Sequence, residues 1–339
     1  MSVQGDAGEE VISRIVDRLG CAPELVTFWR RGLTWYPAGL TQHLWAEPVP
    51  RRAGLDAWRV HIRTWCLKRL VGSQAQMHAI ETRLPHLMLS ALVRKPGSPS
   101  RLGLGSAIHM NGDRVEWTAR MVAATARVQA WEALGLSRAA KVIESGAVAD
   151  VVTAQIGREG PRAAPVPPLD GEPLAPLTLD VLPFAEIADA LRAHDGVRAI
   201  ATHSGVTASF ALLSEGDRYE FVLTEIRYGT REEVGKGMSI SMSLPMAAPT
   251  HLLHALVLNE AELQSDSPTD LLGGWVLRDG ALVHEAFLPL ALCTGEMTRH
   301  MAEAAARRAA WLRLAGRAIV PGDWPMDTRG RIIPFKRPS

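Results

Sequence analysis

The chain has 339 residues, 47% hydrophobic, 22% charged and 6% aromatic. That is the length of about two average domains, and the composition excludes pervasive disorder, a collagen-like repeat and a helical membrane bundle. Thirty-seven Lys and Arg against thirty-six Asp and Glu leave a formal charge of +1, so no overall field draws the molecule to nucleic acid or to an anionic bilayer.

The charge is unevenly divided. Residues 1–150 hold 19 basic and 13 acidic side chains, and residues 151–339 hold 18 and 23, so the halves attract each other. Cys21, Cys66 and Cys293 are an odd and scattered set, which argues against a disulfide framework and fits a reducing compartment. There is no apolar run long enough to span a bilayer, and Met1 to Glu10 lacks the basic-then-apolar order of a secretory signal. A cytoplasmic location without a membrane partner is expected.

A helix is predicted over Glu9 to Leu19. Trp58, Val60, Ile62 and Thr64 then alternate with Arg59, His61, Arg63 and Trp65, the period of a strand with one face inward and the other basic. A helix over Gln74 to Leu84 follows, then strands over Leu87 to Arg94 and Leu102 to Met110 around Pro96, Gly97 and Pro99. Asp113 and Glu116 have the spacing of a capping box ahead of a long helix. Residues 159–183 carry seven prolines, which removes backbone donors and fixes dihedrals, so this stretch reads as a semi-rigid linker.

Beyond it, a helix is expected over Phe184 to Ala193 and a strand over Tyr219 to Tyr228. Met238, Ile240, Met242 and Leu244 alternate with Ser239, Ser241 and Ser243 in the next strand. His251 to Leu263 reads as a helix. Gly274 to Leu277 and Ala281 to Leu288 read as strands joined at Asp279-Gly280, a dipeptide suited to a tight hairpin. Thr294 offers a cap to the last helix.

That helix repeats the one in the first half. Glu116, Thr118, Met121, Ala124, Ala126, Arg127, Ala130, Trp131 and Leu134 recur 180 residues later as Glu296, Thr298, Met301, Ala304, Ala306, Arg307, Ala310, Trp311 and Leu314. Nine identities in nineteen positions, with Met, Arg and Trp in register, indicate duplication. The helical spacing puts Trp131 and Trp311 on the buried stripe, with Arg127 and Arg307 one turn before them as covers for the indoles. Each half reads as helix, about three strands, helix, two strands, helix. The expected class is α+β, two tandem units, each a mostly antiparallel sheet with helices packed on one face. The units are residues 1–150, rich in Trp and Arg, and 184–316, separated by the linker 159–183 and followed by a basic tail over 317–339.

The strand Met238 to Leu244 ending at Pro245, the helix bearing Leu258-Asn259-Glu260, the Asp279-Gly280 hairpin and the alanine-rich helix from Glu296 give the second unit a resemblance. It resembles the bacterial YbjN-like domains, which share the type III secretion chaperone-like fold. The first unit departs from that pattern, having Glu81-Thr82-Arg83 in its middle helix, and is assigned through the duplication. The resemblance implies a protein that holds an extended segment of a client protein, with the two joined units as an internal pseudo-dimer, monomeric or as a homodimer.

Chemistry-bearing motifs are sparse. Gly235-Lys236-Gly237 lacks P-loop spacing and reads as a hairpin loop. His251 and His254 have the spacing of half a metal site but no third ligand, Thr202-His203-Ser204-Gly205 reads as a turn, and the cysteines read as packing thiols. No catalytic residue, metal ligand or cofactor is expected. Arg30, Arg31, Arg51, Arg52, Arg59, Arg63, Lys68 and Arg69 are interleaved with Trp29, Trp35, Trp45, Trp58 and Trp65, the residue types of binding hot spots. The leading expectation is a non-catalytic protein-binding or chaperone-like protein, with Arg59, Arg63 and Trp65 as partner contacts. One alternative is an enzyme acting on a small ligand in an interdomain cleft, with His203, His251 and His254 as first candidates. A nucleic-acid binder using the basic aromatic sheet is less favoured, because the surplus charge is small.

Overall fold

Helix α1 (Ala7–Leu19) begins where the Asp6 carboxylate accepts the Glu9 amide at 2.9 Å and ends at Gly20, whose φ of +61° closes the last turn. Its buried Val11, Ile12, Ile15 and Leu19 share one face. Strands β1 (Val26–Trp29), β2 (Gly32–Trp35), β3 (Thr41–Pro48) and β4 (Ala57–Leu67) follow, then helix α2 (Gln74–Arg83), β5 (Ala91–Lys95), β6 (Ser98–Asn111) and helix α3 (Val115–Lys141). The order then repeats: α4 (Phe184–Arg192), β7 (Val197–Thr202), β8 (Gly205–Glu215), β9 (Arg218–Arg231), β10 (Gly235–Leu244), α5 (Leu252–Glu262), β11 (Gly274–Arg278), β12 (Ala281–Pro289) and α6 (Gly295–Ile319). The computed structural model describes residues 6–21, 26–49, 57–67, 74–95, 98–141, 182–215, 218–231, 235–244, 252–264, 267, 269–279 and 281–319. Most of the proline-rich linker, the tail beyond residue 319 and His251 lie outside the described residues.

The two sheets have the same strand order, β1-β2-β3-β4-β6-β5 and β7-β8-β9-β10-β12-β11, with antiparallel neighbours. Their registers correspond as well. Ile62 opposite Ser106 matches Ile240 opposite Ala286, and Ala91 opposite Gly105 matches Gly274 opposite Glu285. On the long helices, Thr118 and Thr298, Met121 and Met301, Ala124 and Ala304, and Ala126 and Ala306 are buried in both copies. The chain is therefore α+β with two tandem units of one topology.

Several local expectations are revised. Four strands, not three, precede each middle helix; β1 and β2 have four residues apiece, too few to show a period. Glu116 does not cap α3 but pairs with Arg14 at 2.7 Å and with Arg18 on α1, since a helix–helix ion pair competes for the same carboxylate. Gly235-Lys236-Gly237 forms the start of β10 and not a loop. Trp131 is 40% exposed, against the expectation that it lies on the buried stripe, whereas Trp311 is half-buried and packs against the core. Arg127 donates at 3.0 Å to the Arg18 and Leu19 carbonyls at the α1 C-terminus, where a cation also opposes the helix dipole. Arg307 donates to Asp270 at 3.0 Å. The turns agree with the sequence: Asp279 has a φ of +52° beside the closing pair Arg278 and Ala281, and Thr202 faces Gly205 across His203 and Ser204. Thr294 accepts the Met297 amide at 3.2 Å.

Each sheet packs its own helices on one face, α1 and α3 in the first unit and α4 and α6 in the second. Part of the opposite face is covered by the other unit. Ala107 and Leu271 exchange backbone hydrogen bonds of 3.0 and 2.8 Å, while Phe287 donates to the Met88 carbonyl at 2.8 Å. Ala107 corresponds to Phe287 under the duplication, and Leu271 to Met88, so these contacts are related by an approximate two-fold axis. Each unit lays the segment before its fifth strand across the sheet of the other. On the axis, Gly274 meets its own counterpart: a Cβ there would lie 2.7 Å from the Ala91 Cα.

Helix α5 packs on β11 of its own unit and β5 of the other, which explains why it buries Leu252, Ala255, Leu256 and Leu258 around most of its girth. Asn259 ties the two edge strands together, donating to the Leu92 carbonyl at 3.0 Å and the Trp275 carbonyl at 3.2 Å while accepting the Trp275 amide at 2.7 Å. In the first unit, Glu132 on α3 accepts the amides of Met88 and Leu89. Its burial pushes the carboxyl up to about 7.

The rest of the joint is polar and enclosed. Glu262, fully buried, accepts from Arg308 Nε at 2.8 and 2.9 Å, from Trp275 Nε1 at 2.7 Å and from Thr269 Oγ1 at 3.1 Å. Asp270 accepts the backbone amide of His109 at 2.6 Å and stands 3.0 Å from His109 Nδ1, His300 Nε2 and Arg307. Burial works against its charge, but His300 and His109 hold the carboxyl well below its ordinary range. His109 comes from the first unit, so this carboxylate binds the two copies to each other.

Candidate functional site

Alternation along β4 turns Trp58, Val60, Ile62 and Thr64 toward α1 and α3 and leaves Arg59, His61, Arg63 and Trp65 on the outer face. Pairing with β3 sets Trp45 beside His61 and His43 beside Arg63, and β2 and β1 extend these rows to Gly32 and Trp29 and to Thr34 and Thr27. Three tryptophans, Trp29, Trp45 and Trp65, therefore lie on one side of the first sheet, with Arg63 between Trp45 and Trp65 and Lys95 against Trp65. Trp29 is 43% exposed; Trp45, Trp65, His43, Arg63 and Lys95 are half-buried.

The contacts are specific. Trp45 stacks on His61 with centroids 4.7 Å apart and planes inclined by 7°, and the Arg63 guanidinium lies 5.0 Å from the Trp45 ring centroid. Lys95 stands 5.8 Å over Trp65. Trp29 covers Gly32, where a Cβ would fall 2.3 Å from its indole nitrogen, and meets His43 edge-on at 6.0 Å.

The site's carboxylates are engaged elsewhere: Glu47 with His61 at 2.8 Å, and Glu260, on α5 of the second unit, with Arg94 at 2.6 and 2.7 Å. The hydrogen bond from His61 holds Glu47 below its usual range. Burial, reinforced by the charges of Lys95 and Arg63, lowers His43. Burial likewise lowers His61 to about 4 despite Glu47, so both imidazoles are neutral at physiological pH. Burial also lowers Arg63. Its Nε is buried with no acceptor among the described residues.

The three residues singled out from the sequence thus part company. Arg63 and Trp65 share the open face. Arg59 does not: it is fully buried and donates to the Glu262 and Ser267 carbonyls, the latter at 2.9 Å, and stands 3.3 Å from His109 Nε2. Arg59 caps the C-terminal end of α5 from the opposite unit, a correction to its expected role as a contact for another protein. The period of two is right for it, but its end of the face is already covered. His43, Lys95, His61 and Glu47 were not singled out, although Gln42, Leu44 and Ala46 alternate with His43, Trp45 and Glu47, a signal of the same kind as that in β4.

A cavity of about 480 Å³ opens beside this face, between α1 and the edge strand β1, lined by Ile12, Val16 and Phe28 with Glu9, Asp17 and Arg30 at its rim. Phe28 is 56% exposed. The outer face of the second sheet is different in kind, exposing Ile200 (67%) and Leu223 (42%) beside an Arg227–Glu225 pair. His203 is exposed in the β7–β8 turn and His254 half-buried on α5, so the structure does not bring these two onto one element. Among the described residues no group of three or more His, Cys, Asp or Glu is placed to hold a metal, and no helix is long and apolar enough to cross a membrane. Comparison with protein-family models, with curated proteins and with solved structures gives no match.

Proposed function

We propose that the chain is a non-catalytic protein-binding protein whose two chaperone-like units form a built-in dimer and hold a segment of a client protein on the outer face of the first sheet. The observation that carries this reading is the row of Trp29, Trp45 and Trp65, with Arg63 and Lys95 against their rings, on the part of the sheet that the second unit leaves uncovered. Indoles and arginines gathered on one face supply large apolar area with little ordering cost, the composition of interface hot spots. The resemblance to secretion chaperones points the same way. The free thiols Cys21, Cys66 and Cys293 suit a cytoplasmic setting.

The test is site-specific photocrosslinking in the source cells. Trp29→benzoylphenylalanine is expected to join one protein, through one contiguous segment, and Trp45→Ala in the same chain to reduce that adduct at least about tenfold, the effect of losing a hot-spot side chain. The control is Ile200→benzoylphenylalanine on the second sheet. If both positions give the same diffuse set of adducts, the first sheet is not a client surface.

A further inference from the structure

The outer face holds two cations, Arg63 and Lys95, that form no ion pair with a carboxylate among the described residues. Arg63 forms no side-chain hydrogen bond or ion pair among the described residues; its guanidinium lies 5.0 Å from the Trp45 ring centroid, and its Nε is buried without an acceptor. Lys95 is placed against Trp65 in the same manner. Glu47 and Glu260 are the carboxylates whose charges reach Arg63, but neither contacts it directly, since Glu47 accepts from His61 and Glu260 is paired with Arg94. A guanidinium withdrawn from water and left without an anion is unfavourable. One that keeps its donors over an indole is in position to receive an anion from outside, where a charge-assisted and often bidentate hydrogen bond is strong.

We infer that the client segment is acidic, and that a glutamate or aspartate carboxylate of that segment docks on Arg63, between Trp29 and Trp45 on one side and Trp65 on the other, with Lys95 as a second carboxylate site. The inference rests on the protein-binding reading and adds the chemistry of the ligand. The charge pattern favours a peptide over a single-stranded nucleic acid. Two cations without an ion-pair partner match one or two carboxylates, and the molecule's net charge of +1 supplies no wider attraction for a run of phosphates. His43, already neutral beside Arg63 and Lys95, gives the carboxylate a near neighbour that does not compete for it as a cation.

Fluorescence anisotropy on the full chain provides the test, with a labelled peptide of alternating Glu and Tyr, its counterpart of alternating Gln and Tyr, and oligothymidylate as probes. The Glu-Tyr peptide is expected to bind about tenfold tighter than the Gln-Tyr peptide at low salt, and the difference is expected to shrink as salt rises. Arg63→Gln is expected to remove the preference, with far-UV circular dichroism and a cooperative melting transition showing that the variant is folded; Lys95→Gln is expected to reduce the preference in part. Trp29→Ala weakens both peptides, as the protein-binding reading requires. If both peptides bind equally to the native chain, or Arg63→Gln keeps the preference, the acidic-segment inference is overturned and the reading of the face as a protein site is not. Failure of the Glu-Tyr peptide to bind, or tighter binding of oligothymidylate, also overturns it.

Discussion

Glu262→Ala is expected to destabilise the protein by roughly 3–5 kcal/mol, the cost of leaving a buried charge without its partner. The carboxylate is fully buried and is the acceptor for Arg308 Nε, the Trp275 indole N–H and the Thr269 hydroxyl. Without it Arg308, itself 3% exposed, keeps the Asp270 carbonyl at 2.7 Å as its one remaining acceptor among the described residues, and the indole donor is stranded. The damage crosses between units, because Trp275 lies at the β11 edge clamped to β5 by Asn259, and Arg59 of the first unit donates to the Glu262 carbonyl. Glu262→Gln retains acceptors and is expected to lose less than half as much. Denaturant titration measures both, and a loss below about 1 kcal/mol for the alanine variant, the range of an exposed ion pair, contradicts the joint described here.

Gly274→Ala is the second large effect, expected to cost about 1–3 kcal/mol as an overpacked contact. The argument is steric, since the added methyl would lie 2.7 Å from the Ala91 Cα and 2.8 Å from its Cβ. Neither strand is free to yield, because β11 is paired with β12 and β5 with β6. Adding Ala91→Gly to the same chain relieves the contact from the other side and is expected to recover part of the loss, a non-additivity that marks residues in direct contact. A melting temperature for Gly274→Ala equal to that of the native protein would mean that the two edge strands do not approach so closely.

Much of this fold is legible in the sequence where a period runs long enough to be read. The Met238 to Leu244 alternation, the Asp279-Gly280 turn and the 180-residue recurrence of Met, Arg and Trp each correspond to an observed element. Four-residue strands such as β1 and β2 carry no such period. Burial around a helix was harder to place: Trp131 follows the apolar spacing of α3 yet is exposed, because spacing defines a stripe but not where the neighbouring elements stop covering it.

The site divides along the same line. Alternation in β4 put Arg59, Arg63 and Trp65 on one face, as observed, but gave no sign that the other unit covers Arg59 from more than 200 residues away. The apolar girth of α5 was the available hint that this helix lies between two surfaces. His43 and Lys95 join Arg63 only through strand pairing, which composition does not specify.

Cutting the chain between the units tests most directly whether the two copies form one interlocked body. A protease recognition sequence inserted between Leu169 and Asp170 would allow cleavage of the folded protein, followed by size-exclusion chromatography with light scattering. The two fragments should elute together as a one-to-one complex with the mass of the uncut chain, and Glu262→Ala in the same background should let them separate. Cleaved native protein that falls apart into two independent monomers would show that only the tether holds the copies together.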